Sequence, residues 1–386
     1  ITIIYKYLLR KHFSEFMPMS NSIPLTIIAL GSYGREQLCV YSDIDLMILY
    51  KEIPGFNLKP IMEEFMILAW DCGLKLGSRV HEINEIETAV REDITIKTSI
   101  LESRIIYGSK LLWFQYQNKL TAIRDYQRKE FIEEKFAEHK QRLLKYPLDM
   151  QPNIKDGYGG MRESNMIFWM ATVIYGVKST KDLINIHFTD EEYKAYRSSL
   201  EYVYRVRNAL HLIAKKKLDR VNFDVMPELS DRLGFKNTPR LPKERQLMSK
   251  LFESLHIIHR FSATMVQKFI RPYIHDEKTS KLLKENRFKK DIYIYEDKVY
   301  TSFNRKPLKM TGLLKELVSI PNSVKYFSTS YLYFVSKTIK KQQLTESDKV
   351  LVKQLLHKEH LFPILRLLYN SQLFLAILPS AKKIMN

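Results

Sequence analysis

Two short apolar runs, LTIIAL and LMILY, enclose the stretch GSYGREQLCVYSDID, residues 31–45. Both runs read as buried strands. Asp43 and Asp45 therefore stand at the mouth of a buried strand, shortly after a Gly31-Ser32 turn. On a strand, residues two apart share a face, roughly 6–7 Å from each other along the chain. Ile44 and Leu46 then point the other way, into a core. At an effective dielectric near 20 two carboxylates at that separation repel by about 2–3 kcal/mol. A fold keeps such a pair where a cation sits between them. Hard oxygen donors favour Mg²⁺, which one or two carboxylates can hold together with substrate phosphates. Two ions about 3.5–4 Å apart would activate an attacking oxygen and stabilise a leaving pyrophosphate.

Gly31 and Ser32 complete the arrangement. Glycine permits a tight strand-to-helix turn with outward backbone N–H groups. Those amides and the serine hydroxyl can grip phosphate at a helix N-terminus. Arg35 lies one turn on and can add a charged fork. One lip of the cleft is thus predicted to hold phosphate, and the other metal.

Around this stretch the pattern is α–β–turn–β–α–β–α. IYKYLLRKHF opens as a helix. IMEEFMILAWDCGL is an amphipathic helix ending near Gly73, and LGSRVHEINE is a strand candidate. DITIKTSILESRIIYG reads as a helix closing at Gly108. The order predicts a small mixed sheet with helices. From residue 113 the pattern turns helical. LWFQYQNKLTAIRDYQRKEFIEEKFAEHKQRLLKY, without Pro or Gly, reads as one long helix. The loop PLDMQPNIKDGYGGMRE follows, then further helices up to Pro272. DIYIYEDKVYTSF is β-rich with a tight turn at Glu296-Asp297, and helices return from about 309 to 378. The expected class is α+β: a sheet domain over 1–112, an all-α bundle over 113–272, and a hairpin with helices over 273–386.

Charge divides along the same line. Of the formal +19, residues 1–120 contribute −1 and the remainder +20. A basic field of this kind steers anionic ligands such as nucleotides, nucleic acid or an acidic protein surface. The alternative is a Lys-rich solvated surface. No apolar run approaches the roughly 18 residues of a membrane span. Cys39 and Cys72 form neither a disulfide framework nor a metal spacing, so a cytoplasmic location is expected. The chain opens on Ile1 rather than Met, as a piece of a longer protein would.

GSYGREQLCVYSDIDLMIL resembles the nucleotidyltransferase signature of the DNA polymerase beta superfamily. More narrowly, it is similar to the bacterial PII uridylyltransferases, which are also uridylyl-removing enzymes. DCGLKLGSRVHEINE, REDITIKTSILESRIIYG, NIKDGYGGMRE and YVYRVRNALHLIAKKKLDRVNFDVMPELSDRLGF extend the likeness over roughly residues 25–270. The resemblance implies transfer of UMP from UTP to a tyrosine of a PII signalling protein, with Mg²⁺ or Mn²⁺ as cofactor. It places Gly31 and Ser32 on phosphate, and Asp43 and Asp45 on metal. Such chemistry needs little beyond positioning and charge stabilisation.

The superfamily adds a third carboxylate. Asp93 matches the motif's acid and is the expected residue, with an N-cap role before ITIKTSI as the alternative. Glu82 is the other candidate and suits a strand better. The family's uridylyl-removing activity resides in a downstream phosphohydrolase built on His and Asp ligands. His275-Asp276 lacks partners at helical spacing and reads as a loop, so only the synthetic half is expected here. Lys155 and Arg162, in KDGYGGMRE, are either phosphate contacts or ion-pairing residues of a helix-to-helix turn. Arg205 and Arg207 cannot share a helix face, so at most one meets the cleft. His211 reads as a packing residue. His256 and His259, three apart, lack a third zinc ligand. The competing functions are transfer to a small molecule or RNA, and a non-catalytic nucleic-acid-binding or regulatory module. The tRNA-tailing branch usually shows Gly-Gly-x-Val-Arg-Asp before its acids, unlike GSYGRE. A non-catalytic module has no reason to keep two repelling acids.

Overall fold

The computed structural model describes residues 1–13, 23–55, 57–274, 285–302, 305–306, 308–338, 344–371 and 373–381. His275-Asp276 lies outside them. The chain forms two compact units, 1–262 and 263–386.

In the first unit a four-stranded sheet has the order β3-β2-β1-β4, with β1 Leu25–Ala29, β2 Ile44–Tyr50, β3 Leu76–Glu82 and β4 Arg104–Gly108. β1 runs antiparallel to β2 and β4, while β2 and β3 are parallel, so the sheet is mixed as expected. Every residue of β1 is buried. Period-two alternation divides the side chains between two cores. Ile27, Leu46 and Ile48 pack with helices α1 (Thr2–His12) and α3 (Lys59–Asp71). Ile28, Met47 and Leu49 pack with α4 (Ile86–Glu92), α5 (Ile94–Leu101) and α6 (Lys110–Asp125). Burying each such aliphatic side chain is worth about 1.5–3 kcal/mol. Asp45 is thus mounted on a strand held from both faces, with Asp43 immediately before it.

Three elements differ from the sequence expectation, the third being the helix through Pro272 described below. The helix predicted to close at Gly108 stops at Leu101, and Arg104–Gly108 turns into the edge strand β4. RIIYG finds β1 as a hydrogen-bonding partner, and tertiary pairing outweighs helical continuity. The long helix from 113 is broken: α6 ends at Asp125, Gln127 takes a left-handed φ of 43°, and α7 covers Arg128–Lys145. The carbonyl of Tyr126, at the break, receives the Lys97 ammonium instead of serving a continuing helix.

The helices that follow are α8 (Met161–Tyr175), α9 (Asp190–Ala214), α10 (Met226–Arg232) and α11 (Lys243–Ile274). α9 starts on a capping box of Thr189 and Glu192, worth about 1 kcal/mol. It stops at Lys215, φ 51°. α11 continues two residues past Pro272 rather than ending there; a proline removes one backbone donor but need not end a final turn.

In the second unit the expected hairpin is part of a four-stranded sheet, Arg287–Lys289, Ile292–Tyr295, Lys298–Thr301 and Tyr326–Phe327. Its tight turn does fall at Glu296-Asp297. Helices including Met310–Ser319, Glu346–Leu356 and Phe362–Asn370 close a core around Leu313, Leu317 and Leu368.

Candidate active site

Gly31–Gly34 forms a single helical turn, α2, directly after β1. The Leu30 N–H bonds to the Asp45 carbonyl at 2.9 Å, so the turn begins beside the acid pair. Asp43 immediately precedes β2 and Asp45 lies within it. Ile44 and Leu46 face the α1/α3 core, as the alternation predicts.

Two glycines make room for Asp45. Opposite it on β3 is Gly77. A Cβ there would lie 2.6 Å from one Asp45 carboxylate oxygen, and a Cβ on Gly31 would lie 3.0 Å from the other. Larger residues at these positions would displace the carboxylate. Burial, and then the charge of Asp43, push the Asp45 carboxyl above the ordinary aspartate range. Asp43 moves the opposite way, held down chiefly by a hydrogen bond from Lys217, Nζ to Oδ2 at 2.8 Å. A desolvated carboxylate beside a second carboxylate is a donor set that fits a hard divalent ion, with phosphate and water oxygens supplying the remaining ligands. Among the described residues no group of three or more His, Cys, Asp or Glu side chains could hold a metal ion.

Lys155 and Arg162 are brought to this place. Lys155 acts electrostatically on Asp43, and Arg162 on Asp45. Each also has a carboxylate nearby: Asp219 lies 3.8 Å from Lys155, and Asp156 3.6 Å from Arg162. Their loop is pinned by Asn153, whose Oδ1 accepts the N–H groups of Lys155 and Asp156 at 3.0 and 2.8 Å. Behind it the fully buried Glu163 accepts the Gly159 N–H at 3.0 Å and faces His259 Nδ1 at the same distance. His256 contacts the Tyr158 hydroxyl at 3.1 Å. These two histidines therefore serve packing and polar contacts of the loop.

Arg35, expected as a phosphate fork, has protein partners in this structure. Its guanidinium donates from Nη1 to the Glu102 carboxylate and from Nε, at 3.0 Å, to Gln37, so part of the fork is engaged by protein. The third-acid candidates are also placed. Asp93 caps α5, accepting both the backbone N–H and the hydroxyl of Thr95 at 2.7 Å. This is the capping role that the sequence left open. Glu82 pairs with Tyr50, five ladder positions from the Asp45–Gly77 pair; at about 3.3 Å per residue it is far from the acids.

The sequence did not single out Glu102, Asp219 or Lys217. Glu102 is buried, and its Oε2 would lie 3.8 Å from a Cβ on Gly31. It accepts from Arg35 and from the Trp169 indole. An acid between SIL and SRIIY was the available signal. Asp219 binds Arg207 at 2.6 Å, and Arg207 also reaches Ser42 at 3.3 Å. On the same face of α9, Tyr204 donates to Gln37 at 2.8 Å, Asn208 accepts from Val40 N–H at 3.2 Å and His211 Nδ1 from Tyr41 N–H at 3.3 Å. One stripe of α9 therefore holds residues 37–42, the segment leading into Asp43. A separate cavity of about 1050 Å³ beside Arg35 and Glu102 is lined by neither Asp43 nor Asp45.

With this geometry established, residues 130–266 match the family model described as GlnD PII-uridylyltransferase. Residues 130–266 thus carry this family's domain. A bifunctional uridylyltransferase/uridylyl-removing enzyme of Hydrogenovibrio crunogenus is 31% identical over 276 residues, 69% of this chain and 31% of that protein. The enzyme of the same name from Pseudomonas syringae pv. syringae is 31% identical over 319 residues, 81% of this chain and 35% of its own length. That of Haemophilus influenzae (strain PittEE) is 30% identical over 258 residues, 66% and 30%. The chain spans about a third of the length of the curated relatives it matches. The family match covers α8, α9 and most of α7, the helices that carry Lys155's loop and grip the segment before Asp43. Among the described residues no helix is long and apolar enough to cross a membrane.

Proposed function

We propose that this chain is the nucleotidyl-transferring part of a PII uridylyltransferase, moving UMP from UTP onto a PII-type signalling protein in the cytoplasm. The observation that carries the reading is Asp45, desolvated between Gly31 and Gly77 and pressed by Asp43, with Lys155 and Arg162 near enough to act on the pair electrostatically. Asp43 and Asp45 would hold Mg²⁺ or Mn²⁺, which when bound would supply charge neutralisation at the phosphates and polarise the α-phosphorus. The backbone of Gly31 and Ser32 receives the triphosphate, and Lys155 and Arg162 draw it in. The acceptor hydroxyl oxygen forms a bond to the α-phosphorus, the bond from that phosphorus to the bridging oxygen breaks, and pyrophosphate departs. The hydroxyl proton is lost to water. α9 holds residues 37–42 so that the acids keep their place; a misplacement of 1 Å can cost a hundredfold in rate.

The reading is tested by incubating the chain with Mg²⁺ and each labelled triphosphate, with and without a PII protein. Label passing from UTP to PII, and absent with Asp43→Ala, is the expected result. Label on RNA or on a small-molecule acceptor would move the acceptor assignment. An absence of turnover with any acceptor, alongside tight salt-sensitive nucleic-acid binding, would overturn it.

A further inference from the structure

Lys217 is the cation closest to the acid pair, at 2.8 Å from Asp43, and no part of the reaction described so far uses it. We infer that Lys217 is a substrate-binding residue of the transferase site: it pairs with Asp43 in the arrangement seen here and exchanges that carboxylate for a phosphate of the incoming nucleotide. This rests on the nucleotidyl-transfer reading.

The backbone around Lys217 is fixed. Lys215 ends α9 in the left-handed region. Ile154 N–H donates to the Asp219 carbonyl at 2.9 Å, Val221 N–H to the Pro152 carbonyl at 3.1 Å, and Asn153 bridges to Arg220. The segment carrying Lys217 is thus zipped to the segment carrying Lys155, and one paired platform presents both ammonium groups. Asp219 anchors it through Arg207 and lies 3.8 Å from Lys155.

The side chain, by contrast, is free to swing. Lys217 and Asp43 are 44% and 57% exposed, so their pair is a surface ion pair of little net strength. A divalent ion on Asp43 would repel an ammonium held on the same oxygen more strongly than that pair attracts it. The displaced ammonium stays tethered within a side-chain length of the acids. The anion nearest to it is then the phosphate tail bound to the same ion, and a lysine suits that partner as a mobile point charge. Lys217 therefore opposes metal binding alone and favours metal together with nucleotide, which links the two ligands.

The inference predicts opposite changes in two affinities. Using the 386-residue chain, Mn²⁺ binding without nucleotide is followed by electron paramagnetic resonance, and UTP binding with Mg²⁺ by calorimetry. Lys217→Met is expected to bind Mn²⁺ three- to tenfold more tightly and UTP at least tenfold more weakly, and Lys217→Arg to recover most of the UTP affinity. A loss of fold would weaken both together, which circular dichroism would report. Mn²⁺ binding that Asp43→Ala abolishes secures the metal site independently; with that in hand, unchanged UTP affinity in Lys217→Met overturns the inference alone. Tighter Mn²⁺ with unchanged UTP does the same, leaving Lys217 a counter-ion only. Mn²⁺ binding that survives Asp43→Ala removes both the inference and the metal-site reading beneath it.

Discussion

Trp169 on α8 donates its indole N–H to Glu102, the carboxylate that also receives Arg35. One buried acid therefore ties the helical part of the first unit to the turn that begins at Gly31. The Arg35 and Glu102 side chains are 10% and 4% exposed. Removing one partner of a buried pair costs about 3–5 kcal/mol, because the other charge is left uncompensated. Glu102→Ala and Arg35→Ala are each expected to fall in this range by urea denaturation. The double variant should cost clearly less than the sum, since it leaves no orphan charge. Strict additivity would show that the pair does not act as a unit.

The stripe on α9 predicts a different signature. Tyr204→Phe and Asn208→Ala each remove one hydrogen bond to the segment before Asp43. Each should lower stability by only about 1 kcal/mol. Turnover should fall about tenfold or more, because the acids lose part of their support. Steady-state kinetics beside melting curves separates the two effects. Activity that falls no further than stability accounts for would mean that α9 packs against the segment without positioning it.

At Gly77 the structure predicts loss of metal affinity with little loss of fold. An added Cβ would meet a side-chain carboxylate oxygen at 2.6 Å, and that carboxylate can rotate away. Gly77→Ala should therefore melt within about 1 kcal/mol of the parent yet bind Mn²⁺ at least tenfold more weakly. Gly312→Ala is the control. It lies in a helix of the second unit, where an added Cβ would meet only ordinary contacts, and the variant should gain up to about 1 kcal/mol with Mn²⁺ affinity unchanged.

These sites show which features the sequence could carry. The acid pair, the Gly-Ser turn and the mixed sheet were legible because their determinants are local: apolar runs, a two-residue carboxylate spacing and turn residues. β4 was not, because SRIIYG prolongs the apolar pattern of α5 and only β1 makes it a strand. The break at Gln127 was hidden for a similar reason, since its neighbour's carbonyl is taken by Lys97, 29 positions earlier. Lys217 reaches Asp43 across 174 positions. No local rule could single it out from AKKKLDR, a run that resembles any solvated helix end. The ion pair of Arg35 was hidden in the same way, because the acid that binds it lies 67 positions away.

His139 gives the first unit a pH dependence of definite sign. It is buried, and its Nδ1 accepts from the Arg142 guanidinium at 3.1 Å. Burial is the main cause that holds its pKa down to about 4, against an ordinary 6.5, with Arg142 and His259 acting the same way and Glu163 and Glu138 opposing. Below pH 6.5 the unfolded chain takes up a proton that the folded chain refuses until about pH 4. Stability is thus undiminished above pH 6.5 and declines as pH falls toward 4, by up to about 3 kcal/mol at 1.4 kcal/mol per pH unit. Glu163 has the same sign: His259 holds its carboxyl low against the opposing effect of burial, and its contribution is present above the ordinary glutamate range and lost as pH falls through its folded value. Urea midpoints at pH 7.5, 6.0 and 5.0 should therefore drop steadily in the parent chain. In His139→Gln, which cannot titrate, the slope between pH 6.5 and 5 should flatten. An equal slope in both would place the acid sensitivity elsewhere.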